Sequence, residues 1–153
     1  YLKDALGYVV GYQAFTANDT PTASFDVLTA EGEYKAYSVC NLHDTWEAPL
    51  VRTANRPGPW EDKVGSHTPT ATLSESGTEV VVNVSHPMTE EHFIVALYLS
   101  DQMGNIVDKI QLNPTDNPEA THTFSLPQGV TSVIPWSLCD DHDLWMGSEI
   151  AVG

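Results

Sequence analysis

The chain has 153 residues and a formal net charge of −15, because 21 acidic residues stand against only 6 lysines and arginines. Its length suits one ordinary domain or two small ones, and 41% apolar with 18% charged residues is typical of a folded protein. The negative charge repels polyanions, so nucleic acid and anionic membrane surfaces are poor partners. No apolar run approaches about eighteen residues, which predicts no membrane insertion.

Short alternating or β-branched runs recur along the chain at intervals of about ten residues. Turn formers such as Ser76-Gly77 and Gly104-Asn105 separate them, and no long segment keeps a helical period. We therefore predict an all-β fold, an immunoglobulin-like β-sandwich rather than a barrel. The predicted strands are residues 8–15, 23–28, 34–39, 68–73, 79–84, 93–99, 106–112, 121–126 and 130–136.

Residues 51–62 are the best candidate for a linker, since they hold two prolines around a glycine and two of the six basic residues. The chain repeats across this segment: the string Cys-x-x-His-Asp-x-Trp occurs at residues 40–46 and again at residues 139–145. We therefore predict a partial, truncated or degenerate repeat over residues 1–50 and a complete domain over residues 63–153.

A weaker similarity aligns residues 8–12 with residues 93–97. On this alignment Tyr1 stands where the second copy has His86, so the first copy lacks part of the histidine set. Trp46 and Trp145, the last residues of the two strings, are both expected to pack under their Cys-x-x-His turns.

The second copy holds four of the six histidines and one of the two cysteines: His67, His86, His92, His142 and Cys139. A Cys-x-x-His spacing offers two metal ligands from one tight turn, so metal binding or thiol chemistry competes with a disulfide between the two cysteines. Imidazoles with one thiolate suit a redox-active transition metal, and five ligands exceed the four of a structural zinc site.

Three strings, in order along the chain, resemble the motifs of the superoxide reductases, the desulfoferrodoxin and neelaredoxin group. The resemblance covers residues 63–153 and is carried by His67-x-Pro69, His86-Pro87-Met88-x-x-x-His92-Phe93-Ile94 and Cys139-x-x-His142-x-x-Trp145. It implies a sandwich whose loops hold one mononuclear non-haem iron. The implied His4Cys ligands are His67, His86, His92 and His142 in the equatorial plane and Cys139 on the axis.

The same resemblance implies an oxidoreductase that reduces superoxide to hydrogen peroxide at the open position opposite the thiolate. Ferrous iron would give one electron and solvent two protons, while the axial thiolate donates electron density to the iron. Because no dioxygen forms, an external electron donor is required, and the family suggests rubredoxin or a similar small carrier.

The chain departs from the family at several positions beside the ligands. Gly65-Ser66 stand where the family has Glu-Lys, which leaves Lys63 as the candidate catalytic cation near incoming superoxide. Aspartates 140, 141 and 143 stand around the axial cysteine, where the family has Asn and Gly at two of the positions, and their charge is expected to lower the reduction potential. An iron module with four thiolates is not encoded in these residues, so the single-iron branch is the closer one.

Two alternatives remain open from the sequence. The replacement at Gly65-Ser66 favours a non-catalytic iron-binding or electron-transfer module. The acidic surface and incomplete first copy favour a structural β-sandwich of the cell envelope, which would assemble into homo-oligomers. Cys40 and His43 lack the counterparts of the other ligands, so no complete second site is expected within the chain. An exported or envelope location is slightly favoured over the cytoplasm, because the chain starts at Tyr1 and is poor in lysine.

Overall fold

A computed structural model describes residues 1–26, 33–115 and 117–153. The chain divides into two compact units, unit 1 (Tyr1–Leu50) and unit 2 (Val51–Gly153). In the described part of the chain, no helix is long and apolar enough to cross a membrane. The described elements are short strands and two single helical turns, which confirms the prediction of an all-β fold.

Within its described residues, 1–26 and 33–50, unit 1 contains one sheet of four short antiparallel strands in the order β2-β1-β3-β4. Large apolar side chains on it stay in contact with water: Val39 is 64% exposed and Trp46 is 63% exposed. The expectation that Trp46 packs under its Cys-x-x-His turn is therefore wrong. The strands are β1 (Leu2–Asp4), β2 (Val9–Gly11), β3 (Tyr34–Val39) and β4 (Thr45–Glu47).

Unit 2 is built from two sheets. One has the order β10-β7-β6, and the other has the order β5-β12-β11-β8-β9 with β13 also paired to β11. A 3₁₀ turn at Glu61–Lys63 leads directly into α1 (Val64–His67). The strands are β5 (Val51–Arg52), β6 (Thr70–Leu73), β7 (Glu79–Pro87), β8 (Ile94–Asp101), β9 (Ile106–Gln111), β10 (Glu119–Ser125), β11 (Ser132–Cys139), β12 (Leu144–Met146) and β13 (Ile150–Ala151).

The core of unit 2 lies between the two sheets, and the alternation of β7 shows why. Along this strand every second residue is buried, while its neighbours such as Val81 face outward. A Val or Leu that is fully buried contributes about 1.5–3 kcal/mol to folding. The buried apolar cluster is Val80, Val82, Val84, Ile94, Leu97, Leu99, Leu112, Ala120, Phe124, Val133 and Cys139.

Seven of the nine predicted strands overlap an observed strand closely, and two differ. The run at residues 8–15 contains only β2, and Ala23–Asp26 of the run at residues 23–28 forms no strand; Val27 and Leu28 lie outside the described residues. Strands of two or three residues, such as β5, escape prediction because they are too short to show alternation.

The segment predicted as a linker, residues 51–62, is the first part of unit 2 and contacts the rest of it. Val51–Arg52 is β5 and pairs in parallel with β12, and Trp60 packs its indole against the His142 ring, with 4.6 Å between the ring centroids. The prolines and glycine that suggested a linker form the turns between these contacts.

The strand register corrects the alignment of residues 8–12 with residues 93–97. β1 lies beside β3, and Leu2 faces Ala36; in unit 2, β8 lies beside β11, and Leu99 faces Pro135. β2 is instead paired to β1, on the side away from β3. The alignment is wrong because two short apolar runs of similar composition cannot be distinguished without their partners.

Candidate metal centre

Four imidazoles and one thiol converge at one end of unit 2. His92 Nε2 lies 2.9 Å from His142 Nδ1, 3.3 Å from His86 Nε2 and 3.1 Å from Cys139 Sγ. His67 Nε2 lies 3.1 Å from His142 Nδ1. The ligand atoms of His67, His92, Cys139 and His142 are all within 4.8 Å of one another, and His86 joins this group through His92. The structure thus brings together all five residues that the sequence singled out.

The spacing of these atoms fits a shared metal ion. Two nitrogens that are each about 2.1 Å from one metal and at right angles to each other are about 3.0 Å apart. The three close nitrogen pairs are separated by 2.9, 3.1 and 3.3 Å. When the facing atoms are all deprotonated, as metal ligands are, their lone pairs repel one another unless a cation lies between them. The donor set, nitrogen with one sulfur, is suited to iron and other transition metals.

The first histidine is placed by a short helix. α1 ends at His67, because Pro69 follows two residues later and disfavours helical geometry in the residue before it. His67 is only 1% exposed. Its carbonyl accepts a hydrogen bond of 2.7 Å from the Ser137 hydroxyl on β11, which ties the end of the helix to the sheet.

His86 and Cys139 stand at the ends of two long strands, one from each sheet. Each continues the inward-facing alternation of its strand, so each occupies the position at which the next core residue would stand. The pairing register shifts beside both residues. Such irregularities change the direction in which side chains point, and they are common next to functional sites.

Backbone carbonyls hold two of the imidazoles in the form that binds metal. His67 Nδ1–H donates to the Lys63 carbonyl at 3.2 Å, and His86 Nδ1–H donates to the Pro87 carbonyl at 2.5 Å. A proton on Nδ1 leaves the Nε2 lone pair free, and in both residues Nε2 is the atom that faces the cluster.

His92 is presented by the loop between β7 and β8. Its backbone N–H donates to the Thr89 hydroxyl, and the Thr89 N–H donates to the His92 carbonyl, each at 3.2 Å. These reciprocal bonds close the loop on itself. The His92 side chain is 29% exposed, so solvent reaches the cluster on this side.

His142 lies in a turn whose last residue has an unusual backbone conformation. Asp143 has φ 63°, in the left-handed region that favours glycine. Its carboxylate accepts hydrogen bonds from Arg52 Nε at 3.1 Å and from Trp60 Nε1 at 3.2 Å. These contacts offset the backbone strain, and the Trp145 indole N–H donates to the His142 carbonyl at 2.6 Å.

Arg52 and Trp60 are parts of the site that were not predicted from the sequence. Arg52 is 5% exposed, which is rare for an arginine without a charged partner. The available signal was the aspartate at a position where the family has glycine, since such a replacement requires compensation. The proline-rich composition around both residues pointed to a linker instead.

The three aspartates beside the thiol are not equivalent. The charge of Asp143 is balanced by Arg52, with which it forms a salt bridge. Asp140 accepts the Phe93 backbone N–H at 3.2 Å and has the same oxygen 3.5 Å from Cys139 Sγ. The negative charge that acts directly on the sulfur is therefore mainly that of Asp140.

Burial decides the protonation of the cluster. It lowers the pKa of His67 to about 4 and also lowers the pKa values of His86 and His142, with help from neighbouring imidazoles. These histidines are therefore neutral at pH 7, as metal ligands must be. Burial raises the pKa of the Cys139 thiol to about 11, so deprotonation of this thiol requires the positive charge of a metal ion.

Lys63, the predicted catalytic cation, lies next to the cluster. Its ammonium forms an ion pair of 3.0 Å with the Asp62 carboxylate and is about one-third exposed. After burial and His92, its positive charge is the next cause of the lowered pKa of His142. Its field therefore reaches His142, one residue of the cluster.

Comparison with known proteins identifies the family. The model of the desulfoferrodoxin family matches residues 60–148. A superoxide reductase (neelaredoxin) from Ignicoccus hospitalis is 25% identical, with a TM-score of 0.53 over 67% of this chain and 95% of that chain. The superoxide reductase from Treponema pallidum is 26% identical, with a TM-score of 0.51 over 74% of this chain and 80% of that chain. No curated protein matches. The match spans more than half of the residues and includes every residue of the cluster, and the chain therefore belongs to the desulfoferrodoxin family.

Proposed function

We propose that unit 2 binds one iron and reduces superoxide to hydrogen peroxide with electrons from an external donor. The single observation that carries this proposal is the convergence of four imidazole nitrogens and one sulfur at metal-ligand spacing. The proposed ligands are His67, His86, His92, His142 and Cys139. Iron, when bound, supplies one electron to superoxide, and two protons come from solvent.

The residues around the cluster have separate tasks in this proposal. The carbonyls of Lys63 and Pro87 fix two imidazoles with their lone pairs inward, so little reorganisation is needed on binding. Cys139, 4% exposed, supplies a thiolate from the protein side, where water is excluded. Around His92 the cluster is reached from solvent, and this is where we place the entry of a small anion.

Lys63 is proposed to attract superoxide to this entry. The chain carries a net charge of −15, which opposes the approach of an anion, so a local cation beside the ligands has a large relative effect. We expect Lys63→Gln to lower the second-order rate constant with superoxide about two- to tenfold and to weaken its salt dependence. Lys109→Gln, which removes the same charge from β9 in the same unit, serves as the control. Equal rates for the two variants would remove Lys63 from the mechanism.

The electron donor is proposed to be rubredoxin or a similar small one-electron carrier. Reduction of superoxide without release of dioxygen consumes one electron per turnover, so the oxidised protein must be re-reduced. Mixing the oxidised protein with reduced rubredoxin and following loss of the visible band tests this point. An exported or envelope location and self-association stay predictions from the sequence.

The test of the function begins with protein purified without oxygen. We expect one iron per chain and, on oxidation, a visible band from charge transfer between thiolate and iron. Stopped-flow mixing of the ferrous protein with superoxide should then give rapid oxidation and hydrogen peroxide without dioxygen. Iron that is bound but slowly oxidised would support the non-catalytic electron-transfer module, and zinc alone or no metal would overturn the proposal.

A further inference from the structure

The sheet of unit 1 has the same pairing register as the central strands of unit 2. Ser38 on β3 faces Trp46 on β4, just as Ser137 on β11 faces Trp145 on β12. The three residue pairs between β3 and β4 all match the three pairs between β11 and β12. β1 pairs with β3 as the last part of β8 pairs with β11, over three further residue pairs.

The turns between the matching strands also correspond. In unit 1, Asp4 Oδ1 accepts the backbone N–H groups two and four residues later, at 3.0 and 2.9 Å. In unit 2, Asp101 Oδ1 accepts the N–H groups two and four residues later, at 2.9 and 2.8 Å. A glycine with positive φ stands at the same place in both turns, Gly7 at 86° and Gly104 at 81°. Tyr1 thus corresponds to Tyr98.

A third correspondence is the position of a phenylalanine before the cysteine of each unit. Phe25 stands fifteen residues before Cys40, and Phe124 stands fifteen residues before Cys139. In unit 2, Phe124 is fully buried on β10, which pairs with β7. Residues 22–26 form no strand in unit 1. The counterpart of β7 would precede the counterpart of Tyr98, so residues 1–50 do not contain it.

Unit 1 holds counterparts of two of the five proposed metal ligands, at a similar separation. Cys40 Sγ lies 3.3 Å from His43 Nδ1, and Cys139 Sγ lies 3.5 Å from His142 Nδ1. In unit 2 the three remaining imidazoles all come from residues 60–97, which precede Tyr98. Unit 1 matches only the part of unit 2 that follows residue 97, and it has counterparts of the two proposed ligands in that part, Cys139 and His142.

The face beside this pair is apolar and uncovered. Trp46 is 63% exposed, whereas its counterpart Trp145 is fully buried. Ser137 is also fully buried and donates to the carbonyl of His67, while Ser38 is exposed. An open cavity of about 720 Å³ lies on unit 1, and its lining includes Phe15, Phe25 and Trp46. In unit 2 the matching side of the sheet is covered by the other sheet and α1.

We propose that Cys40 and His43 are two ligands of a second metal site for iron or a similar transition-metal ion. The site is completed when a segment equivalent to residues 60–97, with its three histidines, packs on the exposed face of unit 1. This segment supplies both the missing ligands and the missing apolar cover. The proposal rests on the proposed function only in taking the five ligands of unit 2 as its template.

The first experiment supplies the missing half within the chain. A copy of residues 60–97 is placed directly before Tyr1, because Tyr1 corresponds to Tyr98. We expect the 153-residue chain to bind one iron and the extended chain to bind two, with a doubled thiolate band. Cys40→Ser and Cys139→Ser in the extended chain should each return the content to one, by removing different sites.

A second experiment does not depend on the folding of the extended chain. A synthetic peptide of residues 60–97 and Co²⁺ are added to the 153-residue Cys139→Ser variant, and alkylation of the exposed Cys40 by iodoacetamide is timed. We expect the reaction to slow at least tenfold with both additions and to stay fast with either alone.

One metal in a folded extended chain, or a Cys40 that stays equally reactive with peptide and metal, would overturn the second site. If the extended chain precipitates, the alkylation rate decides alone. A 153-residue chain without bound iron would instead overturn the proposed function, so the two failures are distinguishable.

Discussion

The string Cys-x-x-His-Asp-x-Trp occurs twice in this chain, and its two copies lie in opposite surroundings. Both copies form a β-hairpin in the same register and bring a sulfur and an imidazole nitrogen within 3.5 Å of each other. Yet Trp145 is fully buried and Trp46 is 63% exposed. Local sequence is therefore sufficient for the turn and the sulfur–imidazole pair. Burial and the three further histidines are supplied by segments distant in sequence, which unit 2 has within residues 60–97.

The largest expected difference between the units is in metal binding. Cys139→Ser should abolish the visible thiolate band and weaken iron binding more than about 100-fold, since changes even outside the ligand shell reduce affinity by about 10–100-fold. Cys40→Ser should leave both unchanged in the 153-residue chain. Elemental analysis and visible spectra of the two variants measure this. A band that survives Cys139→Ser would assign the thiolate to Cys40.

The next difference is in how much each tryptophan contributes to the free energy of unfolding. Trp145→Ala removes a fully buried side chain and should lower the free energy of unfolding of unit 2 by about 3–5 kcal/mol. Trp46→Ala removes an exposed one and should change stability by less than about 0.5 kcal/mol. Urea unfolding followed by far-ultraviolet circular dichroism gives both values. Similar losses for the two variants would mean that Trp46 is covered in solution.

The aspartates that follow the two histidines should differ less. Asp143→Ala removes a carboxylate that is hydrogen-bonded to the buried Arg52 and should destabilise unit 2 by about 1.5–3 kcal/mol, the usual range for a hydrogen bond to a charged group. Asp143→Gly should lose less, because glycine adopts φ 63° without strain. The exposed Asp44 provides the matched control, Asp44→Ala, and should change stability by less than about 0.5 kcal/mol. Denaturant midpoints rank the three, and equal values for Ala and Gly at residue 143 would show that strain there is negligible.

The smallest difference concerns the serines that face the tryptophans. Ser137→Ala removes a buried hydrogen bond to the His67 carbonyl and should lower stability by about 0.5–1.5 kcal/mol. The exposed Ser38 makes Ser38→Ala the matched control, with no measurable change expected. Thermal unfolding of both variants resolves this. A loss at Ser38 as large as that at Ser137 would contradict the view that the first copy lacks its cover.

Much of the site was predictable because its ligands follow patterns that a sequence displays. The alternation of β7 shows that His86 occupies an inward position after Val80, Val82 and Val84, and the Cys-x-x-His spacing shows that two ligands share a turn. Arg52 was not predictable, since its partner lies 91 residues away and neither residue alone reveals the contact. The pairing of β1 with β3 escaped prediction for the same reason: register depends on partners, and three residues carry too little pattern to choose them.

The Arg52–Asp143 pair has a consequence for how this sequence can change. Asp143 occupies a backbone conformation that penalises most side chains, and its carboxylate offsets part of that penalty through hydrogen bonds from Arg52 and Trp60. Replacing Arg52 alone removes one of the two side-chain donors of Asp143, and placing glycine at residue 143 alone removes a carboxylate that the buried Arg52 contacts. The two positions are therefore epistatic. The cost of a change at either position therefore depends on which residue stands at the other.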